Sequence, residues 1–242
     1  MATKMRSVLL SSAVIRKSLD HRKNDGAFAR AFLAIDRMGQ LHDALEALHA
    51  TPDPNLSKPA RALKYRQQFD QAMAASKAAA MAAVDGLSEL EAQLVRAAEE
   101  KAGLHKHVPE SAQQEIRAAL RGLTMEERNA VIRQAAQTGD ANIIKAVRDA
   151  ASPLLVGPYT VPLAEMIQVM VEKASPELAQ ARQDIEAAVS FVTGATGAFT
   201  KAAAEMRDPA MEAEAERQAA VAKAAEAALA QAITAPAQLP TE

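Results

Sequence analysis

Cysteine is missing from all 242 residues. Disulfides, thiolate nucleophiles and cysteine–metal sites are thereby excluded. That absence suits a reducing cytosol, and equally a particle that meets changing redox conditions. Tryptophan is also absent, and aromatic residues make up 3% of the chain. Aromatic side chains supply much of the area in an ordinary core, so one thick globular core is not expected. No stretch approaches the ~18 consecutive apolar residues of an ordinary transmembrane helix. Near the start, Lys4 and Arg6 precede only Val8-Leu9-Leu10, too short for the apolar region of a signal peptide. The formal net charge of −2 gives no global attraction to nucleic acid or anionic membrane. P-loop, dinucleotide-fingerprint, nucleophile-elbow, HExxH and calcium-loop patterns are all missing. The expectation is a protein that is not an enzyme, with no cofactor, catalytic residue or small-molecule substrate.

What the chain has instead is alanine, about a quarter of its residues and far above ordinary usage. Alanine is the best helix former but offers little area to bury. The reading is all-α: an elongated helical bundle or set of hairpins with long Ala-rich helices, its thin layers completed by homo-oligomerisation. Residues 1–50 read as a helical hairpin. A first helix, Met5–Lys23, carries Arg6, Arg16, Lys17, Arg22 and Lys23, a basic face suited to DNA phosphates or anionic lipid. A second runs from Ala27 to Ala50, with Phe28, Phe32, Ile35, Leu41, Leu45 and Leu48 inward.

Residues 57–103 read as one long helix opened by Ser57-Lys58-Pro59; a break near Gly86 is the alternative. Met73, Ala80, Leu87 and Leu94 sit seven apart and form an imperfect seam. Residues 109–174 form a region of short helices. Residues 175–235 read as a long C-terminal helical hairpin. Its first helix repeats Leu178, Ile185, Val192 and Phe199 at seven-residue spacing, with Ala181, Ala188, Ala195 and Ala202 as the small seam positions. That is the strongest repeat in the chain, and both seams are candidate oligomer contacts. Within it, Ala187–Thr200 carries no charge, and is a candidate for lining a lumen or entering a membrane. Residues 236–242 read as an extended tail.

The sharpest local signals fall in Leu123–Gly157. Thr124 and Glu127 have capping-box spacing. Gly139 fits a left-handed helix end. Asp140 can cap a following helix, Ala141–Ala151, which Pro153 stops. Two helices joined by a tight turn also suit a DNA-binding helix-turn-helix. The would-be recognition helix, however, offers Asn142, Lys145, Arg148 and Asp149, a poorly basic face. Ser152–Pro162 follows as an uncharged apolar loop. Leu154, Leu155, Val156 and Tyr159 there need covering, by another helix or by a neighbouring subunit.

The pattern Leu120, Leu123, Glu127-Arg128, Ile132, Ala135, Gly139-Asp140, Ile144, Ala146-Val147, Leu154-Leu155, Gly157 resembles a segment of poorly characterised helical proteins encoded among phage virion-assembly genes. The likeness spans about one helical hairpin and carries no catalytic motif. It implies a virion component, assembled in the host cytoplasm, whose partners are itself and proteins such as portal or core proteins. An internal, ejected core protein or a portal-associated one fits best, and a scaffolding protein is the nearest variant. The rival readings are a DNA-associated regulator and, more remotely, a di-metal helical-bundle enzyme. The last rests on His42, Glu46 and His49, which share a helix face and include one ExxH. A bundle of that kind needs two such motifs, so no metal site is expected. His105-Lys106-His107 reads as a linker.

Overall fold

The computed structural model describes residues 8–234. They form nine α-helices and three short 3-10 turns, with no strand among the described residues. The helices are α1 (Ser12–Ser18), α2 (Gly26–Ala50), α3 (Lys58–Lys101), α4 (Glu110–Arg121), α5 (Met125–Thr138), α6 (Ala141–Arg148), α7 (Leu163–Ala174), α8 (Glu177–Ala204) and α9 (Pro209–Thr234). Arg6 and the tail 236–242 lie outside the described residues.

The chain separates into two compact units. One contains the residues up to Val84 together with those from Ser190 onward, and the other is Asp85–Val189. The boundaries fall inside α3 and α8, so the linear partition expected from the sequence cuts across them.

In the first unit the expected helix Met5–Lys23 is broken. A 3-10 turn, Val8–Leu10, precedes α1, and a second, Asp20–Arg22, follows it. Ser11 is extended and its hydroxyl accepts from the Ala13 N–H, so the helix restarts there. α1 is fastened to α2 by Asp36, which accepts from the Ser12 N–H at 3.0 Å and the Ser12 hydroxyl at 2.8 Å, with Arg16 at 3.2 Å. Burial alone would raise the Asp36 carboxyl; the Ser12 hydrogen bonds and Arg16 outweigh it and hold the group below its ordinary value. On α2, Phe28, Phe32, Ile35 and Leu45 are buried as expected, whereas Leu41 and Leu48 are half-buried.

α3 is continuous through Gly86. Its deepest line is Tyr65, Phe69, Ala72, Ser76, Ala83 and Leu87. Of the expected seam only Leu87 lies at full depth; Met73, Ala80 and Leu94 are half-buried beside it. Tyr65 and Phe69, a four-residue pair with large area, set the phase of the stripe, and the alanines follow.

Leu178, Ile185, Val192 and Phe199 of α8 are all buried within the single chain, and so are Ala181, Ala188 and Ala195. The Thr196 hydroxyl meets the Met38 sulfur at 3.7 Å and that of Thr200 meets the Met73 sulfur at 3.8 Å.

The second unit is built on Leu104, Leu120, Ile132, Ile144, Val147, Val156, Met170 and Leu178, with Leu94, Ile143 and Tyr159 against them. The capping box forms: the Thr124 hydroxyl accepts from the Glu127 N–H, and the Glu127 carboxylate accepts from the Thr124 N–H. Gly139 ends α5 at φ 82°, and Asp140 caps α6. α6 stops at Arg148 rather than Ala151: the Asp149 N–H still bonds the Lys145 carbonyl at 2.8 Å, but the Ala150 N–H bonds the Val147 carbonyl at 3.4 Å in a tighter last turn.

Candidate assembly surface

Which surfaces are spent inside the fold decides which remain for a partner. The uncharged loop is largely spent. Val156 is buried and Tyr159 half-buried against the second unit's core. The Arg128 guanidinium, 3% exposed, donates to the carbonyls of Leu120 at 2.8 Å and Leu123 at 2.6 Å, and also to that of Pro158. Gly157 packs on that guanidinium at φ 89°, where an added Cβ would sit 2.7 Å from Arg128 Cζ. Asn129 exchanges two hydrogen bonds with Thr160. At the tip Leu154 is 83% exposed and Leu155 37%. The cover this loop needs therefore comes mostly from its own unit.

The basic groups are also engaged. Arg16 binds Asp36 and lies over the Phe32 ring at 5.2 Å. Arg22 lies over Phe28 at 5.7 Å, and Lys23 pairs with Asp20 at 3.3 Å. Lys17 is exposed. In α6, Lys145 is buried and donates to the Lys106 carbonyl, while Arg148 donates to Asp149 and the Leu104 carbonyl. The helix offered as a DNA reader thus directs both its cations into its own chain. No described helix is long and apolar enough to cross a membrane, and the uncharged stretch 187–200 lies within α8 with Val192, Ala195 and Phe199 buried.

α9 differs from all of these. Asp208 caps it, accepting from the Met211 N–H at 3.1 Å. Glu212 is buried and bound by Arg207, whose Nε lies 2.9 Å away. The Arg207 hydrogen bonds outweigh burial and hold the Glu212 carboxyl below its ordinary value. Arg66 pairs with Glu216, and Ala215 is buried. After Glu216 every residue to Thr234 is exposed, including Val221 (70%), Leu229 (62%) and Ile233 (75%). A helix paired along its length would bury one stripe; the expected C-terminal hairpin therefore does not close over this stretch. Val221, Ala225, Leu229 and Ile233 are spaced by four and form one ridge, with alanine on either side. The sequence shows this segment as weakly amphipathic, and only its exposure marks it out.

The first unit also holds a cavity of about 290 Å³, lined by residues including Leu48, Leu56, Arg61, Tyr65, Met206 and Met211. That is near the lower bound for ligand pockets. The Tyr65 hydroxyl donates to the Ala203 carbonyl at 3.3 Å, and burial pushes its pKa up to about 12. His49 stands edge-on to Tyr65, ring centroids 5.7 Å apart. His49 therefore turns away from His42 and Glu46, whose third neighbour is Asp43. His105 contacts Glu99 at 2.9 Å.

No family model, curated protein or solved structure matches this chain.

Proposed function

We propose that this is a structural protein that acts by homo-oligomerisation through the far half of α9, as a helical component of a phage particle. The observation that carries the reading is the bare ridge of Val221, Ala225, Leu229 and Ile233 on a helix that ends in solvent. A second copy is the occupant that suits it. Laid antiparallel about Ala227, Val221 faces the second copy's Ile233 and Ala225 faces its Leu229. Lys223 then meets Gln231 and Glu226 meets Ala228, so no like charges oppose. From Val221 to Ile233 the contact would extend ~18 Å at 1.5 Å per residue. Such a pairing is isologous, and a two-fold axis closes it. The stretch also needs it, since an isolated helix of this length is marginal even when alanine-rich.

The seams of α3 and α8 are not the proposed contact, because α8 buries its heptad inside one chain. The resemblance read in the Leu120–Gly157 pattern is what supports a virion as the kind of assembly. The chain is read as an internal or portal-associated component, located in the virion, with other virion proteins as partners and no catalytic step.

Molar mass by light scattering, across a concentration series, tests the self-association. The full chain is expected to form dimers or larger species, and Val221→Glu/Leu229→Glu/Ile233→Glu to remain monomeric with unchanged helicity of the body. A monomer at every concentration, or an oligomer indifferent to the three substitutions, overturns the α9 contact. Peptides of the chain in density-purified particles would support the virion reading; particles without them would remove it.

A further inference from the structure

One polar cluster on α2 has no part in assembly. His42 follows the buried pair Met38 and Gly39 and is itself 7% exposed. Its Nδ1 is fully enclosed and makes no hydrogen bond. The Oδ1 of Asp43 lies 3.5 Å from that nitrogen without hydrogen-bonding it. Glu46 stands one turn on, at the four-residue spacing that puts two side chains on one helix face. The ligating atoms of His42, Asp43 and Glu46 all lie within 4.8 Å of one another.

A buried imidazole nitrogen without a partner is costly, and native structures usually give it one. A cation is a partner that also draws in two carboxylates. We propose that His42 Nδ1, Asp43 and Glu46 bind one first-row divalent cation, Zn²⁺ foremost. Zinc bonds to nitrogen and oxygen of ~2.0–2.2 Å give ligand-to-ligand edges of roughly 3.3–3.6 Å in a tetrahedron. The His42–Asp43 separation already has that length, and Glu46 closes the remainder by rotating its flexible side chain. One imidazole with two carboxylates favours Zn²⁺, Co²⁺ or Ni²⁺ over Mg²⁺ and Ca²⁺, which prefer all-oxygen shells. Three donors leave the fourth position to water. All three sit on α2, so the ion clips a single helix turn rather than joining two elements.

The site is tested on the full-length, metal-free chain. Zn²⁺ is titrated by calorimetry and Co²⁺ by its visible absorption. One ion per chain is expected, with at least about a tenfold loss of affinity in Glu46→Gln and in Asp43→Asn. His42→Gln should abolish binding; because His42 is buried its helicity is checked alongside, and half-buried Glu46 keeps the test decisive if that variant unfolds. The other histidines are controlled by His21→Gln/His49→Gln/His105→Gln/His107→Gln, which should still bind one ion. No binding, unchanged affinity in Glu46→Gln, or loss of binding in the fourfold histidine variant each overturns the site. The α9 glutamate variant should bind as the parent does, which separates this result from the assembly reading.

Discussion

The two units fasten their helices by different means. All five phenylalanines, at 28, 32, 69, 191 and 199, belong to the first unit; the second has Tyr159 as its one aromatic residue. In the first unit, cations lie over rings: Arg16 on Phe32, Arg22 on Phe28, and Arg207 on Phe69 at 5.0 Å. In the second, buried cations run into backbone carbonyls. Arg117 donates to the Ala146 carbonyl at 2.8 Å, Arg128 to those of Leu120, Leu123 and Pro158, and Lys145 to that of Lys106. Ala146, Leu120 and Leu123 lie at or beside the C-terminal turns of α6 and α4, where the helix dipole welcomes positive charge. With a single large ring, the second unit adds cation clamps at its helix ends to an aliphatic core. Area tolerates small errors of placement, whereas a guanidinium fork does not.

The contrast can be broken from either side. The chain has one tyrosine in each unit and no tryptophan, so Tyr65→Phe and Tyr159→Phe backgrounds let fluorescence follow each unit separately during denaturation. The largest effect is expected from Phe32→Ala, about 4 kcal/mol, seen by Tyr65 and not by Tyr159. Arg128→Met should come next, at about 3 kcal/mol, because several buried carbonyls lose their donor together. Tyr159 should report it. Arg128→Lys should restore little, since an ammonium cannot span carbonyls on both sides of the site. A Met variant as stable as the parent would reduce the carbonyl clamp to a packing detail.

The smallest effect concerns Asp36. Its folded-state carboxyl is held below the ordinary value, so its contribution is fully present above the unfolded-state pKa. It is lost as pH falls through the folded value. Acid should therefore weaken the first unit more in the parent than in Asp36→Asn. Equal acid sensitivity would remove Asp36 as the cause.

Much of the second unit was legible before any coordinates. Thr124, Glu127, Gly139 and Asp140 act through local backbone bonds, and local bonds leave spacing rules in the sequence. The α8 heptad was legible too, because large and small residues alternate strictly there. Its use was not, since the repeat says that a seam is buried without saying by which chain. Of the expected α3 seam only Leu87 reaches full depth, because alanine contrasts little between faces and Tyr65 and Phe69 carry most of the information. Arg117, Arg128 and Lys145 were invisible as core residues; a cation that ends inside looks in sequence like any solvated one. The unit boundaries were harder to read: Gly86 stands near the one at Val84, but α3 runs through it unbroken, and no proline or glycine adjoins Val189. At the proposed metal site, His42 and Glu46 stood out by helical spacing. His49 was taken as their companion because periodicity favours it over the adjacent Asp43.

The interleaving of the two units also dictates an order of events during synthesis. Asp85–Val189 is one unbroken span, so the second unit holds all its parts once Val189 leaves the ribosome. The first unit must wait for Phe199 and the rest of α8. At ~5–20 residues per second, about 100 intervening residues delay it by ~5–20 s. For that interval Met38 of α2 lacks the Thr196 hydroxyl that meets its sulfur. A chaperone that binds exposed apolar chain would find its target in that nascent chain, in the unit begun before the other and closed after it.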